Sequence, residues 1–168
     1  MESGSGASSV DIGISGFDGF FHEHHGSIVR ALGLALGDEH LARDAAAEGF
    51  TKALQRWRRV EQYANPAGWV YRVGLNWGRS RWRKTRREVS EHASDHGERS
   101  IPNVEPSDPR LIPALHHLST DHRVVVVARY YLDWSEQEIA TALDIRPGTV
   151  KSRLSRALER LAVDLGAP

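Results

Sequence analysis

The chain has 168 residues, enough for one domain of ordinary size or for two small domains joined by a linker. It contains no cysteine, which excludes disulfides, thiolate zinc sites and thiol catalysis. No apolar run approaches the roughly 20 residues that a membrane-spanning helix requires, and residues 1–9 lack the basic and apolar regions of a secretory signal. We therefore expect a soluble, cytoplasmic protein that does not insert into membranes.

The net charge of zero hides an uneven distribution of charge along the chain. Residues 56–87 hold ten basic residues and one acidic residue, a net charge of +9. The segments on either side, 1–55 and 88–122, each carry a net charge of −5, and residues 123–168 carry +1. A dense basic block of this kind indicates a polyanionic partner for one face of the protein.

The first predicted elements are a disordered N-terminus at residues 1–16 and then two helices. Apolar residues recur at helical spacing in the first helix, namely Phe17, Phe20, Phe21, Ile28, Leu32 and Leu36. Gly37 and Asp38 predict that the first helix ends there and that a second helix begins directly after them. The second helix is predicted from residue 39 to residue 57, with an inner stripe of Leu41, Ala45, Phe50 and Leu54.

A third helix is predicted to follow the turn at Asn65 and Pro66, because proline suits the first position of a helix. Its predicted inner residues are Trp69, Val73 and Leu75. Beyond them the helix becomes increasingly basic. Within residues 57–87, arginines and a lysine are interleaved with the aromatic rings of Trp69, Tyr71, Trp77 and Trp82.

This basic aromatic block has the composition of a surface that binds single-stranded DNA. Positive charge holds phosphates, and flat rings stack on unpaired bases for about 1–3 kcal/mol each. The alternative is that the tryptophans belong to the core and the arginines form a solvated face. We favour core packing for Trp69, whereas both interpretations remain open for Trp77 and Trp82.

Residues 88–110 have the composition of a linker, with three prolines, many polar residues and few large apolar ones. From residue 111 to residue 165 a second block predicts four helices. The valines at 124–127 would suit a strand on their own, but they lie inside a helical apolar pattern. The sequence therefore predicts an all-α protein with two small helical domains, 17–87 and 111–165.

The end of the second block has the pattern of a helix-turn-helix. Ser135 is a good N-cap, and Glu138 stands three residues later as its capping-box partner. A tight connection at residues 144–146 leads into a second helix with the apolar stripe Val150, Leu154, Leu158 and Leu161. The opposite face of that helix is rich in Ser, Thr, Lys and Arg, which suit phosphates and base edges in the major groove. The alternative is an amphipathic hairpin with a solvated basic face.

The stretch EIATALDIRPGTVKSRLSRALERL, residues 138–161, resembles region 4 of bacterial sigma factors, in which an EIA…GTVKSR…RA…L run is characteristic. Two positions depart from the family pattern, since Asp144 stands where glycine is common and Arg146 where a capping Ser or Cys is frequent. The resemblance implies that this helix reads the minus-35 promoter element. The residues it assigns to DNA are Gly148, Thr149, Lys151, Ser152, Arg153, Ser155 and Arg156.

The stretch WVYRVGLNWGRSRWRK, residues 69–84, resembles sigma regions 2.3 and 2.4, which capture a base flipped out of the minus-10 element. By that resemblance Asn76 lines the base pocket and residues 61–68 form the specificity loop. The residues it assigns to the minus-10 element are Trp69, Arg72, Asn76, Trp77, Arg79 and Arg83. Binding energy from captured bases would offset the cost of unstacking them.

Residues 37–57 resemble sigma regions 2.1 and 2.2, the helix that docks on the polymerase clamp. The resemblance assigns the polymerase surface to Asp44, Glu48 and Lys52, with Ala47 in a position where the family has glutamine. The alternative is that these are ordinary exposed charges on a helix.

Together these matches are similar to the smallest class of the sigma-70 family, the extracytoplasmic-function (ECF) type. The resemblance implies a non-enzymatic initiation factor whose partners are promoter DNA, the clamp and flap of core RNA polymerase and an anti-sigma factor, with no cofactor and no metal. One rival is a stand-alone helix-turn-helix regulator that binds duplex DNA by itself. A rival of another class is a helical enzyme or metal-binding module that uses His22, His24 and His25, although no cysteine or well-spaced carboxylate completes such a site.

Overall fold

The computed structural model describes residues 9–91 and 108–166. Within those residues the chain forms eight α-helices and no strand, which confirms the predicted all-α class. The helices are α1 (Ser9–Leu36), α2 (Glu39–Gln55), α3 (Trp57–Val60), α4 (Pro66–Glu91), α5 (Leu111–His117), α6 (Thr120–Tyr130), α7 (Glu136–Leu143) and α8 (Pro147–Leu165). No helix of the described residues is long and apolar enough to cross a membrane.

Several helix boundaries differ from the predicted ones. Helix α1 begins at Ser9 rather than near Phe17, while residues 1–8 lie outside the described residues. Helix α2 ends at Gln55, and Trp57 opens the short α3 instead of closing α2. Helix α4 continues to Glu91, and residues 92–107 of the predicted linker lie outside the described residues.

Local capping explains where α2 and α4 begin. Gly37 adopts a φ of 73° after α1, a conformation that glycine reaches without strain. Asp38 then caps α2, because its carboxylate accepts a hydrogen bond from the Leu41 amide at 2.9 Å. Asn65 does the same for α4, accepting from the Gly68 amide at 2.8 Å. In each turn the capping residue and the amide that it caps are three residues apart, so both turns could be predicted from the local sequence.

Helices α1, α2 and α4 pack closely through small residues. A Cβ atom added at Gly49 of α2 would lie 2.8 Å from the carbonyl oxygen of Val70 in α4. A Cβ at Gly74 of α4 would lie 2.9 Å from Leu32 and 3.0 Å from the carbonyl oxygen of Ala45. The backbones of α2 and α4 therefore approach each other at a distance that larger side chains would prevent.

Two residues of the predicted inner stripes are exposed, and both predictions were wrong. Leu54 is 46% exposed and Leu158 is 41% exposed, while the neighbouring Ala53 and Ala157 are buried. At 100° per residue, position 158 lies about 80° from Val150 around α8, whereas position 157 lies about 20° from it. The smaller residue therefore faces the core.

The predicted inner stripe of α4 also needs correction. Its buried residues other than glycine are Ala67, Val70, Tyr71 and Leu75. Trp69 and Val73 are only half-buried, although Trp69 still packs against the core. The helix is rotated relative to the prediction because its buried side faces two sets of neighbours, α1 and α2 on one side and α7 on the other.

Helix α6 is the centre of the second domain, and all four valines at 124–127 are buried. Four consecutive buried residues are unusual in a helix, where an apolar stripe normally covers one side. Here α6 packs against α7 and α8 and also against α1 of the first domain. The two domains therefore share one continuous hydrophobic core in this structure.

We predict that Gly49→Ala lowers the free energy of unfolding by about 1–3 kcal/mol, because the added methyl group would meet backbone atoms of α4. The matched control is Gly26→Ala on the exposed side of α1, where an added Cβ meets nothing within 4 Å. That change should raise the free energy of unfolding by about 0.5–1 kcal/mol through helix propensity. Urea titration followed by circular dichroism measures both, and equal effects of the two variants would contradict the packing described here.

Candidate nucleic-acid interface

A capping box fixes the start of α7. The Ser135 hydroxyl accepts from the Glu138 amide at 3.2 Å, and the Ser135 amide donates to the Glu138 carboxylate at 2.7 Å. The hydrogen bond from the Ser135 amide, together with a smaller contribution from the Ser135 side chain, holds the pKa of Glu138 below its usual range, because both favour the ionised carboxylate. The predicted capping box is therefore confirmed, and it sets where the helix-turn-helix begins.

The turn between α7 and α8 forms with Asp144 in the left-handed region, at φ 56° and ψ 48°. Glycine is the usual residue in this conformation, but aspartate tolerates it better than most other residues. The amide of Ile145 then donates to the carbonyl of Ala140 at 3.0 Å, and the Ile145 side chain packs against the core. The departure from the family pattern at Asp144 thus leaves the turn intact.

Helix α8 offers the polar face that the sequence predicted for DNA. Val150, Leu154 and Ala157 anchor its buried side. The predicted minus-35 residues lie on the outer side, with Thr149 and Arg153 partly buried and the others exposed, namely Gly148, Lys151, Ser152, Ser155 and Arg156. An added Cβ at Gly148 would meet nothing within 4 Å, so the start of the helix is open to a close approach.

Some polar side chains of α8 already have partners within the protein, and others do not. Ser152 donates to the carbonyl of Thr149 at 3.1 Å, and Ser155 donates to Glu159 at 3.3 Å. Arg153 is ion-paired with Asp121 of α6 at 3.1 Å. Lys151 and Arg156 are exposed, and no ion pair with either is seen in the described residues. Those two cations are therefore the best placed to meet phosphates or guanine edges.

The tryptophans of α4 differ in exposure, since two pack against the core and one lies at the surface. Trp69 lies against Tyr63, with ring centroids 6.4 Å apart, and Trp77 packs against the core beneath the guanidinium of Arg81. Trp82 is 46% exposed, with the Arg86 guanidinium 4.9 Å from its ring centroid. Of the two positions left open by the sequence, Trp77 therefore belongs mostly to the core and Trp82 to the surface.

The predicted minus-10 residues do not all face solvent. Asn76 and Arg83 are exposed. Arg72 and Arg79 instead turn toward the second domain, where they are ion-paired with Asp144 at 3.5 Å and Asp121 at 2.9 Å. One helix thus presents part of its basic surface to solvent and part to α6 and the α7–α8 turn.

Tyr71 of α4 is completely buried. Its hydroxyl donates to the carbonyl of Val124 at 3.4 Å, and its ring meets that of Trp134 edge to face. Burial raises the pKa of Tyr71, although the positive charges of Arg79 and Arg123 oppose that shift. The phenol therefore stays neutral at physiological pH and acts as a packing residue between the domains.

No pattern in the sequence indicates a buried arginine. Arg123 of α6 is only 8% exposed, and its Nε donates to the carbonyl of Ala35 near the end of α1 at 2.8 Å. A cation at the C-terminal end of a helix interacts favourably with the carbonyl groups there. The partners are 88 residues apart in the chain, so only the packing of the two domains brings them together.

The predicted polymerase residues share one stripe of α2, in which Asp44 is exposed and Glu48 and Lys52 are partly exposed. Asp44, Glu48 and Lys52 are spaced by four, and Glu48 is ion-paired with Lys52 at 2.9 Å. Ala47 is exposed on the same side of the helix. The opposite side, which includes Ala45, Ala46 and Gly49, is buried. The stripe is therefore available to a partner.

The histidines of α1 do not converge. His22 is paired with Asp18 at 3.4 Å, whereas the rings of His24 and His25 lie against Phe20 and Phe21. In residues 9–91 and 108–166, no group of three or more His, Asp or Glu side chains is placed to hold a metal ion. Aromatic packing and solvent exposure account for these side chains.

Comparison with known proteins agrees with this geometry. Residues 20–88 match the family described as Sigma-70 region 2, and residues 110–161 match the one described as Sigma-70, region 4. The chain is 35% identical to the ECF RNA polymerase sigma factor SigL of Mycobacterium tuberculosis, over 86% of each chain. It is 26% identical to the RNA polymerase sigma-E factor of Streptomyces coelicolor, over 90% of this chain and 86% of that one.

Solved structures show the same fold. The sigma factor RpoE of Bartonella quintana, solved with the anti-sigma factor NepR, superposes with a TM-score of 0.69 at 24% identity, over 88% of this chain and 97% of that chain. CnrH, solved with the cytosolic domain of CnrY, superposes with a TM-score of 0.64 at 22% identity, over 94% of this chain and 95% of that chain.

The protein is thus an all-α, two-domain DNA-binding factor of the kind that works with RNA polymerase. It belongs to the sigma-70 family, in the ECF group, and its function is that of a sigma factor, which directs the initiation of transcription. Sigma factors are in general initiation factors rather than enzymes.

We predict that Lys151→Ala and Arg156→Ala each weaken binding of the sigma–polymerase complex to minus-35 duplex DNA. Each lost phosphate contact should reduce the slope of log K against log salt concentration by about 1. Arg160→Ala is the matched control, because Arg160 lies further along α8 and is already paired with Asp164 at 3.3 Å. A salt titration by fluorescence anisotropy measures the slopes, and an equal reduction for all three variants would contradict the assignment.

Proposed function

We propose that residues 17–87 bind core polymerase and read and melt the minus-10 element, that residues 111–165 read the minus-35 element, and that residues 88–110 join the two. The observation that carries this proposal is the presence of two basic surfaces with different chemistry. The surface on α4 combines cations with tryptophans, and the surface on α8 combines cations with hydroxyl groups. The first composition suits unpaired bases and the second suits the major groove.

On α8 the exposed residues near its start lie where a recognition helix meets base edges. In helix-turn-helix proteins the N-terminal residues of the second helix contact the bases while the first helix braces it. Here α7 takes the bracing position, since Ile139 and Ala140 are buried beneath α8. Gly148, Lys151 and Ser152 are exposed at the open end of α8 and are the residues we assign to the first base pairs.

On α4 the assignment centres on Asn76, an exposed amide in the middle of the basic helix. An amide can donate and accept hydrogen bonds at the edge of a flipped base. The nearby cations Arg79 and Arg83 would bind the phosphate backbone of the DNA. The Trp77 ring, although mostly packed in the core, would form one wall of the base pocket next to Asn76. The same helix would therefore bind the strand and retain the base that leaves the stack.

The remaining partners follow from the same reasoning. The stripe of Asp44, Glu48 and Lys52 on the outer side of α2 is the surface we assign to the polymerase clamp. The two solved structures named above are complexes with an anti-sigma factor and with the cytosolic domain of CnrY. We propose an anti-sigma factor for this chain as well. The protein would act in the cytoplasm, where polymerase and promoters are found, and would carry no catalytic residue of its own.

The direct test combines the purified chain with sigma-free bacterial core polymerase and genomic promoter fragments. A stable complex that starts transcripts at discrete sites supports the proposal. If no complex forms under conditions where a control sigma factor binds, and the free chain instead binds duplex promoter DNA tightly, the protein acts as a stand-alone regulator.

We predict that Asp44→Arg weakens binding to core polymerase by about tenfold or more, because placing like charges together at an interface costs several kcal/mol. Glu23→Arg is the matched control, since it makes the same change of charge at an exposed position of α1. Ala47→Gln, which introduces the residue common in the family, should strengthen binding. Competition with a labelled control sigma factor measures the affinities, and equal losses for the two arginine variants would exclude α2 as the docking surface.

We predict that Asn76→Ala and Arg156→Ala have separate effects on the two promoter elements. Asn76→Ala should cost the polymerase complex about 1–3 kcal/mol in binding to single-stranded minus-10 DNA and little in binding to minus-35 duplex. Arg156→Ala should do the reverse. Filter binding of the two DNA fragments measures both, and a loss on the same fragment for both variants would contradict the division of roles.

A further inference from the structure

An open cavity of about 580 Å³ lies where the two domains meet. Helix α4 forms one side of it with Arg79, Trp82 and Arg83, which share one face of the helix because they are three and four residues apart. The corner between α1 and α2 and the corner between α5 and α6 form the other sides. The volume falls within the range of about 300–1,000 Å³ that is typical of sites for small ligands.

Part of the cavity lining is apolar. Leu36, Leu41 and Leu118 line it from the end of α1, the start of α2 and the connection between α5 and α6. On the α4 side the Trp82 indole is 46% exposed, and the proposed promoter contacts do not use it. The guanidinium of Arg86 lies over the indole, 4.9 Å from the ring centroid. An exposed indole beside leucine side chains suits a ligand that carries a flat ring.

The polar part of the lining offers positive charge and a hydroxyl group. Arg83 is exposed and forms no ion pair with the described residues, and the Thr120 hydroxyl at the start of α6 forms no hydrogen bond with them. Arg79 uses one nitrogen for Asp121, at 2.9 Å, whereas a guanidinium group carries five N–H donors. Two guanidinium groups one helical turn apart match the several oxygens of a phosphate group.

Two carboxylates also line the cavity, and both already have partners within the protein. Asp38 caps α2, since it accepts a hydrogen bond from the Leu41 amide at 2.9 Å, and the positive end of that helix stabilises its charge. Asp121 is paired with Arg79 and also with Arg153, which lies 3.1 Å away. The carboxylates are therefore compensated and the cations of α4 are in excess, so the cavity favours an anion over a cation.

We propose that this cavity binds a small phosphate ester that carries a flat ring, a molecule of the size of a mononucleotide. The phosphate group binds Arg79 and Arg83 and accepts a hydrogen bond from the Thr120 hydroxyl, and the ring stacks on the Trp82 indole. This site goes beyond the promoter contacts proposed above, because neither Trp82 nor Thr120 has a role in them. Residues of both domains contact the ligand, so its binding stabilises the folded chain.

Titration of the full-length free chain with adenosine monophosphate and with guanosine monophosphate tests the proposal. Isothermal titration calorimetry at physiological salt should show a single site with a Kd of about 10–100 µM for at least one of them. Inorganic phosphate and the free nucleosides each carry only half of the recognised chemistry and should bind about tenfold or more weakly. If neither nucleotide binds with a Kd below about 1 mM, the proposal is wrong.

Two variants of α4 separate the phosphate contact from the ring contact. Arg83→Gln should weaken the binding of the nucleotide and of inorganic phosphate alike, by about tenfold. Trp82→Ala should weaken nucleotide binding by about tenfold and leave inorganic phosphate binding unchanged. Arg81→Gln is the matched control, because it removes the same charge from an exposed position of α4 outside the cavity lining. Equal losses for Arg81→Gln and Arg83→Gln would overturn the proposal in favour of a general attraction of anions to a basic helix.

Thr120→Val distinguishes this site from the proposed minus-10 surface, which shares Arg79 and Arg83 with it. Loss of the hydroxyl should weaken nucleotide binding by the free chain about three- to tenfold. It should not change the affinity of the polymerase complex for single-stranded minus-10 DNA, because Thr120 belongs to the second domain. An unchanged nucleotide affinity in Thr120→Val would place the nucleotide on the minus-10 surface alone and would exclude the cavity. If the wild-type polymerase complex fails to bind promoter DNA, the proposed function fails, whereas the nucleotide titration of the free chain still tests the cavity.

Discussion

The packing of α6 is the constraint on which the rest of the structure depends. Its four valines are buried on every side, because α7 and α8 cover part of the helix and α1 covers another part. Arg123, the residue before them, extends the same contact to the carbonyl of Ala35. The two helices that we propose for DNA binding, α4 and α8, are therefore positioned relative to α6, since α8 packs against it directly and α4 contacts it through Tyr71 and Arg79.

The distribution of charge allows basic residues of α4 to pair with acidic residues of the second domain. The basic block of α4 has a net charge of +9 over residues 56–87, whereas the chain as a whole is neutral. Arginines that bind phosphate also bind carboxylates, because guanidinium groups match the geometry of both. Acidic residues of the second domain that lie near α4 therefore become its internal partners unless something separates the domains. Asp121 and Asp144 are in that position.

Features that depend on nearby residues were predictable from the sequence, and features that depend on domain packing were not. The capping box joins Ser135 to Glu138, and the turn at Asn65 depends on a hydrogen bond to Gly68. Each feature spans only four residues, so local rules identify it. The bond between Arg123 and Ala35 spans 88 residues, and no pattern in either segment indicates it. The prediction for Leu158 was wrong because a spacing of four residues repeated from Val150 drifts away from the 100° period of the helix, which places Ala157 on the buried side instead.

The same distinction applies to the candidate DNA-binding residues. Their identity could be predicted from the sequence, but whether each one is accessible to DNA could not. Residue type and spacing indicate what α4 and α8 can bind, and the family resemblance assigns the promoter elements. Neither says that Arg79 and Arg153 meet at one carboxylate, because that contact requires α4 and α8 to lie on either side of the start of α6. Whether these two arginines are accessible therefore depends on the packing of the domains, which residue type and spacing do not indicate.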